Sequence, residues 1–311
     1  MPPDKTERLF KFIPGLGNTD KELLSKFCAV YAAAGADIFD LTPDDEVIKA
    51  VFDGIRKVSL EPGDFKFCIS FSFGTDVHGR KAVIAPEKCT KCGKCFEICP
   101  NGAVSENFQI ITERCIGCGK CSGCGAVSFR KKIKNPLDFL NSTKYLPDIV
   151  ELHVNGSDYG EIFNIVKKIK EKFPKIKISL CITRGISSDG ENIDIIEKIA
   201  KFLSPEKLTV QADGKSMSGD DDSYGKVLQA VAFGQILQNV NADIILSGGC
   251  NSRTNECVKL FDINIKGMAA GTFARNLILK YINRQDFWYN KSVFDEAVKI
   301  ATEFVEREKK C

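Results

Sequence analysis

Short apolar runs alternate with segments of helical periodicity through most of this 311-residue chain. "LFKFIPG" (Leu9–Gly15) reads as a strand, and "DKELLSKFCAVYAAAG" as a helix closed by glycine. "ADIFDLT", "DDEVIKAVFDGIRKV" and "FKFCISFSF" continue as strand, helix and strand. The alternation resumes after residue 135. The strands there are "DIVELHV", "KISLCIT", "KLTVQAD", "ADIILSGG" and "IKGMAAGT". The helices between and after them are "GEIFNIVKKIKEKF", "ENIDIIEKIAKFL", "SYGKVLQAVAFGQILQNV", "TNECVKLFDI" and "ARNLILKYI".

Eight strands alternating with helices predict an α/β fold, a (β/α)₈ TIM-like barrel. An open doubly wound sheet satisfies the same alternation. The helix expected after the third strand is displaced by a cysteine-rich block, and "NPLDFLNSTKYL" supplies its remnant. The expected organisation is therefore barrel over 1–75, an inserted domain over 76–134, and barrel again over 135–311. An insertion at that point is a βα loop, on the C-terminal face where such barrels build their sites.

The block sets the chemistry. "CTKCGKCFEICP" places Cys89, Cys92, Cys95 and Cys99 at gaps of two, two and three residues, followed by Pro100. This is the run of dicluster bacterial ferredoxins, in which the fourth cysteine serves the other cluster. "CIGCGKCSGCGA" repeats the first three spacings with Cys115, Cys118 and Cys121. Its fourth cysteine, Cys124, arrives one residue early, with glycine instead of proline behind it. "AVSENFQIIT" between the runs reads as a hairpin. The crossed pattern assigns one 4Fe-4S cluster to Cys89, Cys92, Cys95 and Cys124, and a second to Cys99, Cys115, Cys118 and Cys121. If Cys124 does not reach, the first cluster is a 3Fe-4S form. Gly93, Gly117 and Gly119 let the loops wrap closely and aim N–H groups at sulfur. A pair of zinc sites is the alternative, since CxxC pairs also bind zinc.

Among the remaining cysteines, Cys28, Cys68 and Cys181 read as small buried hydrophobes. Cys250 is the one expected at the barrel mouth. A second signal lies in "LSGGCNSRTNECVKLFDINIKGMAAGTFARN". Gly248, Gly249, Gly271, Thr272 and Arg275 end the last two strands and begin the last helix of the alternation. Such barrels often bind phosphate there, so FMN or another phosphate-bearing small-molecule ligand is a candidate; tight turns explain the glycines equally well. Asp213, Lys215, Ser218 and Asp220 of the loop after the sixth strand are candidates for the same mouth. His78 and His153 are isolated and read as structural.

Charge adds little. A net charge of +3 carries no signal for nucleic acid. "FRKKIK" (Phe129–Lys134) reads as a solvated loop, or a docking surface beside the cysteines, and "KKIKEKFPKIK" as a solvated helix face. "MPPDKTERLF" lacks the apolar core of a signal peptide, and no run is long enough for a membrane span. A cytoplasmic chain is expected. In a reducing compartment fourteen cysteines point to metal rather than disulfides.

Taken together, "AVYAAAGADIFDLTPDDEVIKA", "DVHGRKA", the paired cysteine runs, "QADGKSMSGD", "LSGGCN" and "GMAAGTFAR" resemble the light-dependent period modulator family (LdpA) nearly end to end. The resemblance implies an iron–sulfur protein acting as a redox sensor or adaptor on redox or signalling protein partners, linked in cyanobacteria to circadian input. The rival expectation from the residues is an oxidoreductase, with clusters and a phosphate-bearing ligand at one barrel face.

Overall fold

A computed structural model describes residues 8–73, 76, 79–154, 159–215 and 222–310. His78, Ser218, Asp220 and Cys311 lie outside the described residues.

Eight parallel strands close into a barrel among the described residues. They are β1 (Leu9–Phe12), β2 (Ile38–Leu41), β3 (Lys66–Ser72), β6 (Ile149–Val154), β7 (Lys177–Thr183), β8 (Leu208–Asp213), β9 (Ala242–Ser247) and β10 (Gly267–Ala270). Closure is made where Leu9 through Phe12 pair with Gly267 through Ala270. The helices that cover the sheet are α1 (Lys21–Ala33), α2 (Asp45–Lys57), α4 (Pro136–Ser142), α5 (Tyr159–Lys172), α6 (Asp189–Leu203), α7 (Tyr224–Ile236), α8 (Thr254–Leu260) and α9 (Thr272–Ile282). The alternation in the sequence is thus a closed barrel, not an open sheet.

The helix starts follow from local chemistry. Asp44 Oδ1 accepts from the Glu46 and Val47 amides at the start of α2. Ser188 and Glu191 form a capping box on α6. Each such cap contributes about 1 kcal/mol. The apolar faces then pack on the outer side of the strands. Phe12 stacks on Tyr31 of α1 with ring centroids 3.9 Å apart. Phe10, Phe39, Phe71, Val150, Leu180 and Val210 are buried in the same layer. At about 1.5–3 kcal/mol for each large side chain, this layer is the main source of stability. A further helix, α10 (Lys291–Lys309), was not anticipated from the alternation. It lays Phe304 edge-on against Phe10, 5.5 Å away.

The cysteine block leaves the barrel after β3 and returns before β6. Its base is an antiparallel pair, β4 (Arg80–Ile84) with β5 (Val127–Lys131). The first part of "FRKKIK" is therefore strand, not loop, because its backbone completes this ladder. Arg80 lies over the Phe129 ring, 4.2 Å from its centroid. One helical turn, α3 (Lys94–Glu97), sits inside the first cysteine run. The expected hairpin is present as an antiparallel bridge between Val104 and Ile110.

Candidate metal centres and the barrel mouth

The second cysteine run folds against the barrel. Cys99, Cys115, Cys118 and Cys121 line one small apolar cavity, with Ala82, Ile110 and Phe129 in its wall. Gly117 and Gly119 adopt φ of 72° and 83°, a left-handed conformation that turns the loop around this cavity. The Ala82 amide donates to Cys115 Sγ at 3.3 Å, and the Ala103 amide to Cys99 Sγ at 3.2 Å. Burial, followed by the Cys118 and Cys115 thiols, pushes Cys121 up to about 11. Four thiols around an apolar hollow, with amides aimed at sulfur, fit the donor set of a cubane iron–sulfur cluster.

The first run lies outward. Cys92 and Cys124 are exposed, and Cys89 and Cys95 are partly so. Burial raises Cys95, with Cys89 and Cys124 as its thiol neighbours. Cys118 is likewise raised by burial, with Cys99 and Cys115 as its neighbours. Cys124 thus lies near Cys95 of the first run, and Cys99 near Cys118 of the second.

The insert is tied to the barrel through its ligand loop. The Lys81 ammonium donates to the carbonyls of Gly17, Thr112 and Cys115. Burial lowers its pKa to about 8. Arg114 pairs with Asp20 at 2.7 Å, and the Thr19 amide donates to Glu113 O at 2.7 Å. Arg275 of α9 donates to Ile13 O, Thr272 Oγ1 and Asn101 Oδ1, the last of these from the insert. Burial lowers the Arg275 pKa to about 10.

Gly248, Gly249, Gly271, Thr272 and Arg275 all line one cavity of about 80 Å³ at the C-terminal mouth. Ile116, between two cysteines of the second run, forms part of its wall. Cys250 is there as expected, and so is Cys181, which was read as core alone. Asp213 also lines it, whereas Lys215 is exposed. The Gly248 backbone has φ of 68°, and a Cβ on it would lie 1.6 Å from Asp213 Oδ1. That glycine makes room for a carboxylate at the mouth.

Below the cavity, the barrel lumen is polar, and this was not foreseen. Bulky branched residues usually fill such lumens. Here Lys11 Nζ meets Glu151 at 2.8 Å, Asp40 at 2.9 Å and Gln211 Oε1 at 2.9 Å. Ser70 donates to Asp40 at 2.5 Å, and Ser179 to Glu151 at 2.7 Å. Burial alone would lower the Lys11 pKa, but Asp40, Cys68 and Glu151 outweigh it and hold it well above its ordinary value. Burial opposes ionisation of Glu151, yet Lys11 and then His153 hold it below the carboxylate range. Asp40 is raised, because burial exceeds the pull of Lys11. His153, read as structural, stands on β6 two residues from Glu151 and lines the cavity floor. The available signal was the polar residue at every second strand position: Lys11, Asp40, Glu151, His153, Gln211 and Asp213.

A closed β/α barrel carrying a ferredoxin-like insertion after its third strand defines an iron–sulfur protein built on a TIM-like scaffold. Residues 82–105 match the 4Fe-4S binding domain. Residues 142–307 match the Light dependent period A C-terminal domain, and the chain belongs to that family. Light dependent period A of Synechococcus elongatus is 24% identical over 257 residues, 79% of this chain and 72% of that protein. Pyruvate synthase subunit PorD of Methanocaldococcus jannaschii is 40% identical over 42 residues, 12% of this chain and 49% of that subunit. Among solved structures, the YdjI aldolase from Escherichia coli K12 superposes with a TM-score of 0.47 at 8% identity, covering 97% of this chain and 90% of that one. No helix among the described residues is long and apolar enough to cross a membrane.

Proposed function

We propose that this protein is a redox sensor or adaptor holding two 4Fe-4S clusters in an inserted domain over 76–134, between barrel segments 1–75 and 135–311. Cys89, Cys92, Cys95 and Cys124 hold one, and Cys99, Cys115, Cys118 and Cys121 the other. The observation that carries this reading is the cavity that Cys99 of the first run shares with Cys115, Cys118 and Cys121 of the second, while Cys124 lies near Cys95. Bound clusters of this kind exchange single electrons.

The chain's own residues supply the coupling. Lys81 and Arg275 link the cysteine loops to the first and last βα loops of the barrel. A change in the shape or charge of the ligand loop therefore reaches the mouth through fixed hydrogen bonds, and redox or signalling partners read the result. Anaerobically purified protein should carry about eight irons per chain and absorb broadly in the visible blue. Zinc in place of iron at these thiols overturns the reading.

One observation favours a second reading, an oxidoreductase with a small-molecule ligand at the mouth. Gly248, Gly249, Gly271, Thr272 and Arg275 share a cavity with Ile116 of the cysteine run. At about 80 Å³ the cavity is far smaller than the roughly 300–1,000 Å³ typical of sites for larger ligands. It therefore admits a phosphate group but not a whole FMN without opening. Release of a yellow fluorescent cofactor on denaturation decides for this reading.

A further inference from the structure

Two strands bring three different donor atoms together inside the lumen. Glu151 and His153 point inward from β6, and Cys181 stands beside His153 on β7 in direct register. One carboxylate oxygen, one imidazole nitrogen and the thiol sulfur lie within 4.8 Å of one another. Glu151 Oε1 and His153 Nε2 are 3.5 Å apart. A tetrahedral ion with metal–ligand bonds of about 2.0–2.2 Å sets such a nitrogen and oxygen about 3.4 Å apart.

Each of the three is also held from its far side. His153 Nδ1 lies 3.4 Å from the buried Asp76 carboxylate. Glu151 Oε2 accepts from Lys11 and Ser179, and Oε1, which accepts from Ser70 at 3.3 Å, lies toward His153. Gln211 Nε2 donates to Cys181 Sγ at 3.3 Å, while its oxygen is fixed by Lys11. Outer partners of this kind orient the ligands of protein metal sites. A second group, Asp40, Cys68 and Glu151, is just as compact. There the chain supplies its own cation, because Lys11 Nζ sits 2.9 and 2.8 Å from the two carboxylates. Both groups reach the mouth cavity, the His153 group through His153 and Cys181 and the other through Asp40 alone.

We propose that Glu151, His153 and Cys181 bind a single divalent ion of the zinc or ferrous class, separate from the cysteine insert. The mixed oxygen, nitrogen and sulfur set suits such ions and not magnesium or calcium. Burial would lower the His153 pKa, but Cys181 and Asp76 outweigh it and hold it well above its ordinary value, and burial raises Cys181, so an entering ion displaces a proton from each to gain three protein ligands. The fourth position faces the cavity, as in sites that keep a coordination place for water or substrate. The ligand that enters is a small oxygen donor, within reach of Asp213 and Ser247 at the rim.

The test uses the intact iron-loaded protein with zinc as probe. X-ray absorption at the zinc edge should show about one zinc per chain with a single sulfur neighbour and the rest nitrogen or oxygen. A shell of four sulfurs places zinc at the insert's thiols and overturns the proposal. Competition with a chromophoric chelator should show zinc affinity reduced at least about tenfold in Cys181→Ser and His153→Gln, with iron content unchanged. Wild-type affinity in those variants, or no tight zinc uptake by the parent, also overturns it. If a variant fails to fold, the absorption spectrum of the parent still decides.

Discussion

The insert and the barrel lumen each gather cysteines and charged side chains, but by opposite routes. In the insert, the cysteines of each run are separated by only two or three residues, and short glycine turns do the gathering. In the lumen, Lys11, Asp40, Glu151, His153, Cys181 and Gln211 come from five strands spread over some two hundred residues. Their meeting depends on the closed sheet and its register. Insert chemistry should therefore survive damage to single ligands as a local loss, whereas lumen chemistry and barrel stability should fall together.

Replacing Lys11 with Met gives the sharpest break. It leaves Asp40 and Glu151 buried without their cation, which costs about 3–5 kcal/mol. Denaturant unfolding should record that loss, and unchanged stability would remove the lumen from the comparison. Next, Cys118→Ser should abolish the inner thiol set and about half the iron, while the circular dichroism of the barrel stays intact. Loss of helical signal in that variant would show that the barrel depends on the insert. Cys124→Ser is milder still. Iron analysis and electron paramagnetic resonance should show damage confined to the set of Cys89, Cys92 and Cys95, leaving a three-iron form. Damage in the other set would falsify the crossed assignment.

Lys81→Ala tests the joint between the regions. It removes a buried charged donor from three carbonyls, and about 2–3 kcal/mol of docking should be lost. Proteolysis within 76–134 should then quicken, with barrel unfolding little changed. The smallest effect belongs to Phe96→Ser on the exposed α3. Stability should move by less than about 0.5 kcal/mol, and only electron exchange with a protein partner should slow.

Exposure also separates the two thiol sets. Cys92 and Cys124 face solvent, whereas Cys115 is buried under Ala82 of β4. Chelator or air should therefore strip the outer set before the inner one, and the order of iron release measures this directly.

Much of the fold was legible because its period is local. The runs around Phe39, Ile69, Leu152 and Leu180 marked strands, and the cysteine gaps marked a ferredoxin-like insertion without any knowledge of tertiary contacts. Strand β5 was hidden within "FRKKIK", since its partner β4 lies more than forty residues earlier and the cysteines intervene. The helix α10 was missed because it follows the eighth β-α unit, where the barrel repeat makes no further demand.

The sequence by itself determined the β/α alternation, the place of the insertion and a cysteine spacing suited to iron–sulfur clusters. These depend on steps of two to four residues along one chain segment, and short-range geometry preserves them. Only the tertiary structure decided that the sheet closes, that Ile116 overlooks the same cavity as Arg275, and that His153 stands beside Cys181. A lone histidine and a lone strand cysteine carry no signal of each other. Parallel register, set by the packing of apolar outer faces under the helices, turned every second residue of the strands inward and made them neighbours.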